Sequence, residues 1–266
     1  EALKDFNKAI DLKCTNTDVY YFRGKINAQK NNTLEALSDF NEVIKKNPLH
    51  SESLIERGKI YLTQKKLDLA LKDFNTCVAN RLNTEEIYSV RAECYLQMGK
   101  FDDALNDYNT LITIFKTKDI KVYAMHAEAN FKKKDLPATI KDCNKMVALN
   151  REYAPAYLLR AKVYVLQGKS KYVLALNDFK KVCELEPANN EAWNRRGNLL
   201  FETAKYAEAI EILSKSIEIN PDDAAYYTRS KCHYKTNNKK ACCNDLEKAA
   251  AMGNKEAKKD IGIVCL

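Results

Sequence analysis

The 266-residue sequence is poor in the residues that phosphate and metal sites need. It has seven glycines and neither a G-x-x-x-x-G-K-[ST] nor a G-x-G-x-x-G motif, so a phosphate-cradling loop is not expected. Three histidines, none of them at ligand spacing from a cysteine pair, argue against a zinc site. No apolar run approaches about 18 residues, so no membrane-spanning segment is expected. We therefore expect no enzyme, no cofactor, no metal and no small-molecule substrate.

Proline is also scarce, and charged residues make up 30% of the chain, a composition that favours helices. The net charge is +8, and residues 231–260 hold eight lysines against four acidic residues. Such a basic end can attract acidic partners, nucleic acid or a membrane surface. Elsewhere basic and acidic residues interleave, which favours the simpler interpretation of a solvated, lysine-rich surface.

Nine cysteines are present, an odd number, and no C-x-x-C pair occurs. Several of them occupy positions that suit a small buried residue, and a buried free cysteine behaves as a small hydrophobic residue. This usage indicates a reducing, intracellular and cytoplasmic location.

An internal repeat is the strongest signal in the sequence. An A-[LI]-x-D run, or a variant of it, precedes a large apolar residue at successive separations of 34, 34, 34, 35, 36, 34 and 33 residues. These anchors are Phe6, Phe40, Phe74, Tyr108, Cys143, Phe179, Leu213 and Leu246.

A second signal lies ahead of each later anchor: an aromatic residue or Leu, then two residues, then Arg or His, then a small residue. It occurs at Tyr20–Gly24, Leu54–Gly58, Tyr88–Ala92, Tyr123–Ala127, Tyr157–Ala161, Trp193–Gly197 and Tyr226–Ser230. Proline closes three of the repeats, at Pro48, Pro187 and Pro221.

Together these features resemble the tetratricopeptide repeat, in which W-x-x-L-G-x-x-Y, A-x-x-x-F and a final Pro recur over 34 residues. The resemblance implies an all-α fold, a right-handed α-solenoid of stacked antiparallel helix pairs. Two departures occur: Arg or His replaces the usual Leu, and the fifth repeat has two extra residues between Tyr164 and Ala175.

The repeat period predicts boundaries and sixteen helices. Seven repeats are expected at 17–50, 51–84, 85–119, 120–153, 154–189, 190–222 and 223–253. Residues 1–16 are interpreted as the second helix of a truncated repeat, so we expect a fragment of a longer protein. Residues 254–266 are expected to form a C-terminal capping helix with an apolar stripe of Ala257, Ile261 and Val264, and with its charged residues, Asp260 included, facing outward.

Arginine and aspartate recur in step with the repeat. The arginines are Arg23, Arg57, Arg91, Arg160, Arg196 and Arg229, and the aspartates are Asp39, Asp73, Asp107, Asp142, Asp178 and Asp245. Ile212 takes the aspartate position in the sixth repeat. We favour pairs that tie helices together over a row of charges for a ligand. The sequence leaves open whether each pair forms within a repeat or between repeats.

The resemblance implies that first helices line a concave groove that binds protein segments. By register, its residues are Tyr21, Lys25, Ile55, Lys59, Leu62, Glu93, Leu96, Glu128, Phe131, Leu158, Lys162, Asn194, Asn198, Phe201, Tyr227 and Lys231. The four lysines suit an acidic segment, whereas the apolar members could instead pack between adjacent first helices.

The expected function is a non-enzymatic protein-protein interaction scaffold. Two alternatives stay open: a docking or regulatory module of a larger protein with its activity upstream, and a basic C-terminal end that binds nucleic acid or a membrane surface. The chaperone-carboxylate clamp of one subclass is not expected, because Asn194 and Thr228 replace residues that it requires. We expect a monomer, apart from end-to-end contacts through the truncated N-terminus.

Overall fold

The computed structural model describes residues 1–265, and that range contains sixteen α-helices, one short 3-10 turn and no strand. The helix count and the all-helical class are therefore as the sequence predicts. The chain divides into two compact units, Glu1–Asp135 and Leu136–Leu266, each of which consists of packed helices.

The first unit contains α1 (Ala2–Asp11), α2 (Thr17–Gln29), α3 (Thr33–Lys46), α4 (Ser51–Thr63), α5 (Leu67–Ala79), α6 (Glu85–Gln97), α7 (Phe101–Thr113) and α8 (Ile120–Lys132). The second contains α9 (Leu136–Leu149), α10 (Ala154–Leu166), α11 (Tyr172–Leu185), α12 (Asn190–Glu202), α13 (Tyr206–Ile219), α14 (Asp223–Lys235), α15 (Lys239–Ala251) and α16 (Lys255–Val264). Even-numbered helices from α2 to α14 are called first helices, and odd-numbered helices from α3 to α15 are called second helices. The 3-10 turn Lys169–Lys171 lies within the longer fifth repeat.

A tight turn follows each first helix. One residue of each turn has a positive φ, namely Asn31, Lys65, Gly99, Lys134, Gly168, Ala204 and Asn237. After α4, the Lys66 N–H donates to the Tyr61 carbonyl at 2.9 Å and the Lys65 N–H donates to the Leu62 carbonyl at 3.1 Å. This pair of bonds satisfies the last carbonyls of the helix and fixes the direction of the next helix.

In the repeats that have glycine at the small-residue position, this glycine sets how closely the two helices approach. Gly58 on α4 lies against the ring of Phe74, which is completely buried, and a Cβ at this position would overlap that ring. A Cβ at Gly197 would lie 2.6 Å from Leu213 Cδ2, well inside van der Waals contact. At these two positions only glycine leaves room for the anchor side chain of the second helix, because a densely packed interior has no space for an extra methyl group.

We predict that Gly58→Ala lowers the free energy of unfolding by about 1–3 kcal/mol through overpacking, although alanine is the better helix former. Gly262→Ala is the matched control, since a Cβ there meets no atom within 4 Å and should stabilise its helix. Chemical denaturation measures both. A Gly58→Ala protein as stable as the parent would contradict the proposed packing.

The recurring arginine joins two repeats at once. Arg57 Nε and Nη2 donate to the two carboxylate oxygens of Asp73 at 2.9 and 2.7 Å, within its own repeat. Its Nη1 donates to Asn41 Oδ1 at 2.6 Å, on the second helix of the preceding repeat. Asp73 is 3% exposed, and its hydrogen bond raises the pKa of Arg57 although burial opposes this.

Five of the six arginines make this bridge. The other four sets, each given as arginine, aspartate and preceding partner, are Arg23–Asp39–Asn7, Arg91–Asp107–Asn75, Arg160–Asp178–Asn144 and Arg229–Asp245–Ser214. In the sixth repeat, Arg196 makes no ion pair with any carboxylate of residues 1–265, and it contacts the Cys183 thiol instead. The aspartate pairs therefore form within repeats, and the amide or hydroxyl of the preceding repeat adds the link between repeats.

We predict that Asp73→Ala lowers the free energy of unfolding by about 2–4 kcal/mol, because it leaves a half-buried guanidinium without its carboxylate. Lys72→Ala, an exposed neighbour on the same helix, is the control and should change little. Thermal and urea unfolding report the effect. Equal stability of the two variants would instead favour a ligand-binding role for the aspartate.

Candidate protein-binding face

Within each unit, first helices of successive repeats form a row. In the first unit, α2 contacts α4, α4 contacts α6 and α6 contacts α8, and in the second unit α12 contacts α14. Within the described part of each unit, successive second helices make no comparable set of contacts. We call the solvent-facing side of this row the first-helix face. Its assignment as the concave side, which the resemblance implies, stays a prediction.

In the first unit, two of the predicted lysines line one cavity of about 330 Å³ between α2 and α4. Lys59 is ion-paired there with Glu56 at 3.0 Å and with Glu86 of the next first helix at 2.5 Å. Lys25 lies 5.5 Å from the centre of the Tyr21 ring and makes no ion pair among the described residues. Lys25 is thus available to an anionic group, whereas Lys59 would have to exchange partners.

The apolar residues predicted for this unit differ in exposure. Ile55 and Leu62 are 5% and 6% exposed and belong to a core cluster that also contains Phe74, so they offer little surface to a partner. Leu96 packs against the cluster around Tyr108, and Phe131 is half-buried. Glu93 is half-buried and Glu128 is exposed. Burial raises the pKa of Tyr108, and the negative charges of Glu93 and Glu128 raise it further.

In the second unit, Leu158 is half-buried, and Lys162 is ion-paired with Glu191 of the next first helix at 2.8 Å. Arg195 also binds Glu191, at 2.7 Å. Burial alone would raise the pKa of Glu191, but the hydrogen bonds from Lys162 and Arg195 lower it overall. Lys162 therefore resembles Lys59, because each lysine already binds a carboxylate of the following repeat.

The two predicted asparagines form a chain of hydrogen bonds. Asn198 donates to Asn194 Oδ1 at 2.6 Å, and Asn194 donates to Asp222 Oδ2 at 3.1 Å. Asp222 also accepts the backbone N–H of Ala225 at the start of α14. Both amides are thus engaged within the protein.

The remaining predicted residues meet at the C-terminal end of the face. Phe201 and Lys231 line a cavity of about 290 Å³ together with Leu246 and Val264. The Lys231 ammonium lies 3.8 Å from the centre of the Tyr227 ring and makes no ion pair within residues 1–265. This end therefore combines apolar side chains with a cation that makes no ion pair, although the Asp260 carboxylate lines the same cavity.

One prediction for this end is wrong, and one feature of it was not predicted. Asp260 was expected to face outward, and this is wrong, because the Tyr227 hydroxyl donates to its Oδ2 at 3.0 Å. Burial and this carboxylate raise the pKa of Tyr227 to about 12. Cys243 and Cys265 form a disulfide that the sequence analysis did not predict.

The other seven cysteines are free, and six of them are buried. Burial raises the pKa of Cys77 to about 11 and that of Cys143 to about 12, so these thiols stay protonated at neutral pH. They serve as small core residues, in line with the sequence analysis. None of the described helices is both long and apolar enough to cross a bilayer.

Comparison with known families accounts for the repeated architecture. Models of the tetratricopeptide repeat family match residues 21–81, 85–117 and 191–223. The chain is a tetratricopeptide repeat protein.

Sequence relatives of this repeat protein include small glutamine-rich tetratricopeptide repeat-containing protein 2 of Mycosarcoma maydis, 29% identical over 39% of this chain and 29% of that protein. Another is RNA polymerase II-associated protein 3 of Homo sapiens, 38% identical over 35% of this chain and 14% of that protein. This chain therefore spans less than a third of each of these two relatives.

Solved structures with the same fold match more of this repeat protein. The C-terminal part of a repeat protein from Cytophaga hutchinsonii has a TM-score of 0.78 at 18% identity and covers 90% of this chain and 98% of its own. A repeat protein from Parabacteroides merdae has a TM-score of 0.64 at 23% identity, covering 92% and 96%. YrrB, described as having an unusual peptide-binding site, has a TM-score of 0.60 at 18% identity, covering 70% and 94%. At these identities the likeness shows the fold alone.

Proposed function

We propose that this protein is a non-enzymatic scaffold whose first-helix face binds an acidic, extended or helical segment of another protein. The fold supports a protein-protein interaction scaffold in general, and the family and structural matches agree with that role. The finer assignment, to this face and to an acidic partner, depends on the charges described above.

The observation that carries the proposal is the incomplete pairing of the lysines on this face. Lys59 and Lys162 each bind a glutamate of the next repeat, whereas Lys25 and Lys231 lie beside tyrosine rings and make no ion pair within residues 1–265. A partner carboxylate can bind either unpaired lysine without breaking an internal ion pair. Half-exposed aromatic rings next to single charges supply the remaining contact area.

A second candidate is a docking module within a larger protein, acting through the same face. The curated relatives are several times longer than the segments that match this chain, which favours this candidate. The full-length sequence decides between the two, since an adjoining catalytic or membrane domain would establish a module.

We predict that the double variant Lys25→Glu and Lys231→Glu loses the protein partners that the parent recovers from native lysate, because its unpaired cations have become anions. Lys45→Glu with Lys72→Glu is the matched control, with the same charge change on exposed positions of second helices. Quantitative mass spectrometry after nuclease treatment, with circular dichroism to confirm folding, measures the loss.

Retention of the same partners by the first-helix variant would overturn the assignment of this face. Recovery that disappears with nuclease, or that collapses for all variants at moderate salt, would instead support nucleic-acid binding.

A further inference from the structure

Helix α16 is held firmly at its beginning. The Asn254 side chain accepts the backbone N–H of Ala257 at 2.9 Å and donates to Asp223 Oδ2 at 2.9 Å. Ala257 is completely buried, and Asp260 accepts the hydroxyl of Tyr227. These contacts anchor the first half of the helix to α14 and α15.

The last turn of α16 has few such contacts. Gly262 has open space around its Cα, so no packing favours it, and glycine weakens a helix relative to alanine. Ile263 is 79% exposed. Val264 lies between the cavity of about 290 Å³ that contains Phe201 and another of about 330 Å³ beside Tyr234. Val264 also packs against the buried cluster of Leu246 and Ala257, so this contact and one further constraint hold the turn between the two cavities.

That constraint is the disulfide. Cys243 on α15 and Cys265, directly after α16, have Cα atoms 5.7 Å apart and are joined through their sulfurs. Both residues are half-buried, so the bond does not lie in the fully buried core. The neighbouring Cys242 is 2% exposed, and burial raises its pKa, so it is held as an unreactive thiol in the cavity wall.

We propose that the Cys243–Cys265 disulfide is a redox latch, which holds the last turn of α16 as a movable wall at the C-terminal end of the first-helix face. The proposal rests on the proposed function, because Phe201 and Lys231 of that face line the same cavity. When the latch is oxidised the cavity is bounded by Val264. When it is reduced the turn detaches, the two cavities join, and Leu246 and Cys242 become accessible to an apolar side chain of the partner.

The chemistry needs an external dithiol. One of its thiolates attacks one sulfur of the Cys243–Cys265 bond, which breaks as a mixed disulfide forms. The second thiol of the reagent then displaces the remaining cysteine, so the reagent leaves as a disulfide. Two electrons and two protons are transferred, and Cys243 and Cys265 become free thiols.

Alkylation of Cys242 by N-ethylmaleimide tests the latch without any partner. The whole chain is compared in its oxidised form and as the double variant Cys243→Ser with Cys265→Ser, which needs no reductant. We expect Cys242 to react at least about tenfold faster in the variant, because its opening no longer works against the cross-link. Cys77 and Cys94, buried in the first unit, are internal controls and should react equally slowly in both proteins. Cys14→Ser is the control for loss of a cysteine elsewhere.

Three outcomes would overturn the proposal. Immediate alkylation of Cys243 and Cys265 in the untreated protein would show that the bond does not form. Equal Cys242 rates in both proteins would show that the turn stays closed without it. Faster reaction of Cys77 and Cys94 as well would show general unfolding. None of these outcomes bears on the lysine variants, so the latch and the proposed function can fail separately.

Discussion

The guanidinium group of the recurring arginine is shared between a repeat and the repeat before it. Two of its nitrogens hold a buried aspartate of its own hairpin, and a third reaches a polar side chain on the preceding second helix. Leucine, usual in the family at this position, could only pack there. Arginine presents donors in a planar fork and suits paired, partly buried positions. Closing a hairpin and stacking it on its neighbour are therefore coupled through one side chain.

This coupling positions the first-helix face. The anchor ring against a small residue sets the spacing within a hairpin, and the arginine bridge sets the spacing between hairpins. First helices then lie close enough for Lys59 to reach Glu86 and for Lys162 to reach Glu191. A carboxylate of a partner would have to displace these internal ion pairs at Lys59 and Lys162, whereas Lys25 and Lys231 have no internal ion pair to break.

The repeat period and the small residues were enough to predict the helices and their pairing, because these depend on contacts that recur every 34 residues or so. The asparagines that follow the anchors, such as Asn41 and Asn75, share that period but carry no charge, and they were missed. The outward direction expected for Asp260 was wrong, because spacing along one helix cannot show that Tyr227 of another helix reaches it. The disulfide could not be predicted either, since Cys243 and Cys265 are 22 residues apart and meet only when α16 folds back on α15.

The most direct test of the arginine bridge is native-state hydrogen exchange read by mass spectrometry, with dithiothreitol present so that the disulfide does not hold the C-terminal end. Arg196 on α12 has no carboxylate partner in the described chain, whereas Arg229 on α14 holds both Asp245 and Ser214. If the bridge couples the repeats, α12 opens at a lower free energy than α14, although α14 lies nearer the C-terminus. Protection of α12 equal to or greater than that of α14 would contradict the account.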